Sequence, residues 1–176
     1  MKKSLIVICM LLCSIAAFAG NPIKAIDGKE NLKDVMSTKA DALVELDWSN
    51  AKYDKAKDLK TEFAEDYDYI LNDCEKNFIE GFNKKSKGLQ LAKESTDAKY
   101  KVVLKVTNVD HYFQPMSFVP KNEAKMWGNL EIIDLSNNQT VVTVVIDEAE
   151  DGLDFTVKDC YGKTFNKLGE RIAKLK

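Results

Sequence analysis

Apolar and polar positions alternate along Tyr100 to Phe113, where Val102, Leu104 and Val106 interleave with Lys101, Lys105 and Thr107. A period of two marks a half-buried strand. Ala42 to Trp48 repeats the pattern, with Val44, Leu46 and Trp48 on one face and Glu45 and Asp47 on the other. Met126 to Asp134 and Thr140 to Asp147 read as a hairpin around Ser136-Asn137-Asn138-Gln139, and the second arm is apolar at nearly every position. Leu89 to Ala92 is a short strand candidate, and Gln114 to Lys125, with Pro115 and Pro120, reads as an exposed loop.

Spacings of three and four take over elsewhere. Phe63, Tyr67, Ile70, Cys74, Phe78 and Phe82 form one helical stripe, with Thr61 as N-cap and Gly88 as stop. Val157, Tyr161, Phe165, Leu168, Ile172 and Leu175 form a second, opened by a capping box at Thr156 and Asp159. Gly162 and Gly169 inside it each cost about 1 kcal/mol relative to alanine, so they either permit a close approach to the sheet or interrupt the helix. The expected fold is a two-layer α+β sandwich, with a mainly antiparallel sheet of about four or five strands and two amphipathic helices packed on one face.

The start of the chain changes the domain picture. Lys2 and Lys3 precede an apolar run from Leu5 to Phe18 that ends in Ala17-Phe18-Ala19. This is the pattern of a secretory signal peptide cleaved before Gly20, and it is too short for a membrane span. Cys9 and Cys13 lie inside the run without the small residues that would precede a lipid-anchor cysteine. The expected organisation is a signal peptide over 1–19, a leader over 20–41 that is loosely ordered or lies across the domain, and one α+β domain over 42–176, placed in the periplasm or secreted.

Charge then narrows the partners. With 26 basic and 28 acidic side chains the net charge is −2, which loss of Lys2 and Lys3 would deepen. That balance argues against nucleic acid. Arg171 is the only arginine, so clusters of guanidinium groups for bidentate anion recognition are excluded. Cys74 and Cys160 would reach an oxidising compartment, where they form either a disulfide or two separately buried thiols. A bridge would close a loop of about 86 residues and stabilise by roughly 4–5 kcal/mol.

Candidate chemistry is sparse, and no enzyme activity or cofactor is expected. His111 is the only histidine, too few for a histidine-built metal site, although it neighbours Asp110 and Tyr112. No G-x-S-x-G motif appears, and Cys74 lies on an apolar helix face where burial makes a thiol inert. The acidic run Asp147 to Gly152 offers oxygen ligands for calcium but lacks their alternating spacing. An apolar set is more suggestive. Val103, Val109, His111 and Ile133 are assigned to the back of the sheet, beside Val141 and Val145, with Phe118 and Trp127 from the 115–127 loop nearby. An apolar patch rimmed by charge fits a protein partner or self-association. The alternative is a carrier with a pocket between helices and sheet lined by Trp48, Phe63, Phe78 and Phe165.

The run A-K-Y-K-V-V-L-K-V-T-N-V-D, a proline-bearing loop, W-G-N-L-E-I-I-D-L-S-N-N-Q-T-V-V-T-V-V and the closing F-N-K-L-G-E-R-I-A-K-L-K resemble small exported proteins of Bacteroidetes-type bacteria. More remotely the chain is similar to TolB N-terminal and CsgG-like envelope domains, over about Ala42 to Lys176. The resemblance implies binding within the cell envelope and carries over no active-site residue.

Overall fold

A computed structural model describes residues 22–114, 121–150, 154 and 156–175. The signal-peptide segment therefore lies outside the described residues, as do Met116, Phe118 and Val119 of the loop. In chain order the elements are β1 (Ile23–Asp27), α1 (Lys29–Ser37), β2 (Asp41–Asp47), β3 (Lys52–Tyr53), β4 (Lys57–Asp58), α2 (Leu59–Phe63), a 3-10 turn (Ala64–Asp66), α3 (Tyr67–Lys85), β5 (Gln90–Ala92), β6 (Tyr100–Gln114), β7 (Lys121–Asp134), β8 (Gln139–Glu150) and α4 (Val157–Ile172).

The α+β class holds, but the sheet has eight strands and is mixed rather than four or five mainly antiparallel ones. Its main path runs β1-β8-β7-β6-β2-β5, with β3 paired to β6 and β4. β6, β7, β8 and β1 are antiparallel, whereas β2 lies parallel to both β6 and β5. The chain leaves β2, passes through α3 and re-enters as β5 in the same direction, the long crossover that parallel pairing requires. Alternation identifies which residues share a face and is the same for either direction, so it could not reveal this.

Of the two readings of the leader, the described residues follow the second: it lies across the domain as an edge strand and a helix, with Ile23, Leu32, Val35 and Met36 buried in the common core. Ile23 pairs with Ile146, and Asn31 donates its amide to the Val141 carbonyl at 3.3 Å. A five-residue strand and a nine-residue helix are too short for a period to stand out.

The two long helical stripes are as expected, but their ends differ. Asp58, not Thr61, caps the first segment, accepting from the Thr61 N–H at 3.0 Å. The helix then breaks at Ala64, where φ is 46°, before α3 begins. Thr156 caps α4 as expected, accepting from the Asp159 N–H. Gly169 does serve a close approach, but to α3 rather than to the sheet. A Cβ on Gly169 would lie 2.4 Å from the Phe78 carbonyl oxygen, and one on Gly81 would lie 1.9 Å from that of Asn166.

A β-bulge decides which residues each face receives. Val106 pairs with Gly128 and Asn108 with Trp127, leaving Thr107 as an extra residue in β6. One inserted residue reverses the parity of everything after it. Val102, Leu104 and Val106 point to the helices before the bulge; Val109 and His111 point there after it, opposite Met126 and Ala124.

Candidate functional site

The bulge divides the predicted back-face residues. Val103, Trp127 and Ile133 lie on the open face; Val109 is fully buried in the core and His111 shares its side, so both are removed from the proposed patch. Phe118 lies outside the described residues. The 115–127 loop is shorter than expected, because Lys121 onward already belongs to β7.

On the open face Val103 is only 7% exposed yet stands apart from the core cluster. Its shielding comes from register. Glu45 and Glu131 are its direct neighbours on β2 and β7, and they pair with Lys101 at 2.5 Å and Lys105 at 2.6 Å. Long charged side chains cover apolar surface with their stems while their heads meet solvent, which accounts for the burial of this valine. Trp127, Ile133 and Val145 are half-buried around this clasp. Among the described residues, the helices contribute their buried side chains to the opposite, core side.

Toward its far end the β6/β7 ribbon carries Tyr112 and Phe113, with 39% and 57% exposure. Tyr112 donates its hydroxyl to Glu123, and the Lys125 ammonium lies over its ring, 5.4 Å from the centroid. Lys125 also pairs with Glu148 at 2.6 Å and Glu150 at 3.0 Å, which holds its ammonium well above the usual lysine range. Two carboxylates of the acidic run are thus neutralised from within the sheet, and Asp151 and Gly152 lie outside the described residues. No group of three or more His, Cys, Asp or Glu side chains suited to a metal occurs among the described residues.

His111 enters an aromatic cluster that the sequence did not reveal. Its Nδ1 and the Tyr53 hydroxyl are hydrogen-bonded at 2.9 Å, and its ring lies 6.4 Å from that of Tyr161, edge-on. Phe63 completes the group, 5.2 Å from Tyr161 and 6.3 Å from Tyr53. Burial, reinforced by Asp110, pushes the Tyr53 phenol up to about 12, and burial drives the Tyr161 phenol higher still. The Tyr161 hydroxyl is buried without a hydrogen-bond partner among the described residues. Tyr53, Phe63 and Tyr161 are all part of the buried core.

Burial also lowers the His111 pKa below 6.5, against the opposing pull of Asp110 and Glu62 and with a small contribution from Lys57. An unfolded chain then takes up this proton first, so the stabilisation is full above pH 6.5 and is lost as pH falls through the folded-state value. The urea midpoint of the wild-type protein is expected to fall between pH 7.5 and about pH 5 more than that of His111→Gln. Equal falls in both proteins would exclude His111 as the cause.

Cys74 and Cys160 are both buried free thiols, so the structure contains no bridge between them. Cys160 instead donates to the carbonyls of Asn122 at 3.1 Å and Thr156 at 3.0 Å. Burial raises both thiol pKa values, that of Cys160 to about 11. Among the described residues, the aromatics assigned to the lining of a carrier pocket pack into the core. Phe78 and Phe165 are fully buried, Phe63 nearly so, and Trp48 stacks on Phe165 at 5.4 Å.

Comparison with known proteins yields structural likeness only. No family model matches the chain. No curated protein matches either. Among solved structures, the PelC dodecamer from Paraburkholderia phytofirmans is similar at 12% identity and a TM-score of 0.45, covering 88% of this chain and 97% of that one. A Helicobacter pylori protein described as a homologue of neuraminyllactose-binding hemagglutinin is similar at 10% identity and a TM-score of 0.39, covering 79% and 84%. Likenesses at these values assign no function. No described helix is long and apolar enough to cross a membrane.

Proposed function

We propose that this chain is an exported, non-enzymatic binding module of the bacterial cell envelope, associating through the open face of its sheet with a second copy of itself. The observation that carries this reading is the open face itself, which no helix among the described residues covers and where Trp127, Ile133 and Val145 surround the Val103 clasp. Its charge pattern favours self-association. Lys101, Lys105 and Lys125 are matched by Glu45, Glu131 and Glu148 on the same face. A two-fold, self-complementary contact can then set the lysines of one copy against the glutamates of the other. The envelope setting rests on the signal-peptide pattern and the resemblance of the strand and helix motifs to exported proteins.

Sedimentation velocity tests the reading. The purified protein is expected to dimerise, and Trp127→Glu with Ile133→Lys to weaken the dimer by about tenfold or more without lowering the melting temperature of the monomer. A protein that stays monomeric at the highest attainable concentration would overturn self-association. Crosslinking in the native envelope that recovers only a different protein through this face would do the same.

A further inference from the structure

On the helix side of the molecule, three chain exits meet around a cleft of about 910 Å³. One is the end of α1, with Lys33 and Met36; the second is the end of α3 and the turn beyond it, with Lys85 and Lys87; the third follows α4, with Lys174 and Leu175. Backbone contacts hold the first two exits together. The Leu89 N–H donates to the Met36 carbonyl at 3.3 Å, and Gly88 is packed so tightly there that a Cβ would lie 2.4 Å from the same oxygen.

The lining divides by chemistry. Met36 is buried and Leu175 partly buried against the core, so the floor is apolar. Lys33, Lys87 and Lys174 are exposed, Lys85 is half-buried, and none of the four makes an ion pair among the described residues. The nearby Glu170 carboxylate is already held by Lys84 at 2.8 Å and Lys167 at 3.9 Å, with Lys85 adding to the field that keeps it ionised. Lysine at a helix end also complements the dipole, which accounts for Lys85. It does not account for Lys33 inside α1 or for Lys87 and Lys174 beyond their helices. Four cations from three separate segments, in a chain of net charge −2, fit an anionic occupant, and the apolar floor fits an acyl chain. The volume lies within the range of small-molecule sites, about 300–1,000 Å³. Lysines act as point charges rather than planar forks, so carboxylate and phosphate heads are both accommodated.

We infer that this cleft binds a single-chain anionic amphiphile, with its head among Lys33, Lys85, Lys87 and Lys174 and its hydrocarbon tail along Met36 and Leu175. This site is separate from the open sheet face, and its failure would leave the association reading untouched.

Dodecanoate, titrated below its micelle concentration and followed by calorimetry, is expected to bind once per chain. Lys33→Gln/Lys87→Gln/Lys174→Gln is expected to weaken binding by about tenfold or more with an unchanged melting temperature, because these side chains are exposed. Leu175→Asp tests the tail separately and is expected to weaken dodecanoate while leaving the lysines in place. Lysophosphatidylglycerol binding alongside dodecanoate would identify a lipid headgroup as an accepted source of the anion; dodecanoate binding alone would identify the free acid. Equal affinity for neutral dodecanol, or no loss in the triple variant, would overturn the inference. So would inorganic phosphate binding as tightly as dodecanoate, or binding confined to phosphatidylglycerol vesicles.

Discussion

Gly81→Val is expected to lower the free energy of unfolding by about 3 kcal/mol or more, read as a fall in the urea midpoint at constant slope. Helix propensity opposes this outcome, since removing a helical glycine gains up to about 1 kcal/mol. The crossing of α3 and α4 decides the sign. A Cβ at Gly81 would lie 1.9 Å from the Asn166 carbonyl oxygen and 2.7 Å from its carbon. Both are backbone atoms of the opposing helix, so relief requires α4 to move away from α3. That separation would loosen Phe78, Phe82, Phe165 and Leu168, all buried in the core. A loss of this size is a large part of the roughly 5–15 kcal/mol that holds a domain of ordinary stability together. Gly162→Ala is the control. There the nearest atoms are Asp73 Oδ2 at 2.1 Å and Asn77 Nδ2 at 2.9 Å, the far ends of side chains that can swing aside. The Asp73 carboxyl is already raised in pKa by burial, so turning it outward restores hydration. Gly162→Ala is expected to change stability by no more than about 1 kcal/mol, toward greater stability. Similar losses in both variants would mean that the close crossing is not what Gly81 provides.

These glycines also show what the chain discloses before it folds. Periodicity located β2, β6, the β7/β8 hairpin and both long helices because each presents several turns or alternations to one core. Thr156 and Asp159 announced the start of α4 because capping is a local arrangement. Pairing direction was hidden because β2 chooses its neighbours through the long α3 crossover. β1 and α1 were hidden because they are short and are held by distant β8. The Tyr53–His111–Tyr161 cluster joins residues from β3, β6 and α4, and the lysine cleft joins positions 33, 85, 87 and 174. No local pattern can bring such positions together. The assignment of Val109 and His111 failed for a different reason, since it extended a correct alternation past Thr107. A signal for the break was present. Gly128 interrupts β7, and isolated glycines inside strands often mark bulges or close backbone contacts. Here a Cβ on Gly128 would lie 2.3 Å from the Lys105 carbonyl oxygen.

Deletion of Val109 is expected to cost about 4 kcal/mol or more, whereas deletion of Thr107, whose side chain is exposed, is expected to cost no more than about 1–2 kcal/mol. Thr107 is the extra residue. Without it Val106, Asn108 and Val109 still stand opposite Gly128, Trp127 and Met126, now in regular alternation, so every later residue keeps its face. Removal of Val109, fully buried opposite Met126, has no such escape. If the bulge is kept, Asp110 falls opposite Met126 and brings a carboxylate to the core side, while His111 leaves Tyr53. If the bulge is given up, Asn108 takes the place of Val109 and withdraws the side-chain oxygen that accepts the Lys55 N–H at 2.6 Å, at a turn where Asp54 and Lys55 both have positive φ. Either way the burial of the valine, about 1.5–3 kcal/mol, is lost and a polar group is left unpaired at about 1–3 kcal/mol. Parallel urea titrations of the two deletion variants separate the roles. A large loss on deletion of Val109 with a small one on deletion of Thr107 means that the bulge carries one residue more than the faces of the sheet require. Equal losses would mean that the bulge itself holds the ribbon in place. Because Trp127 stays opposite Asn108 on the open side, the Thr107 deletion is expected to retain dimerisation.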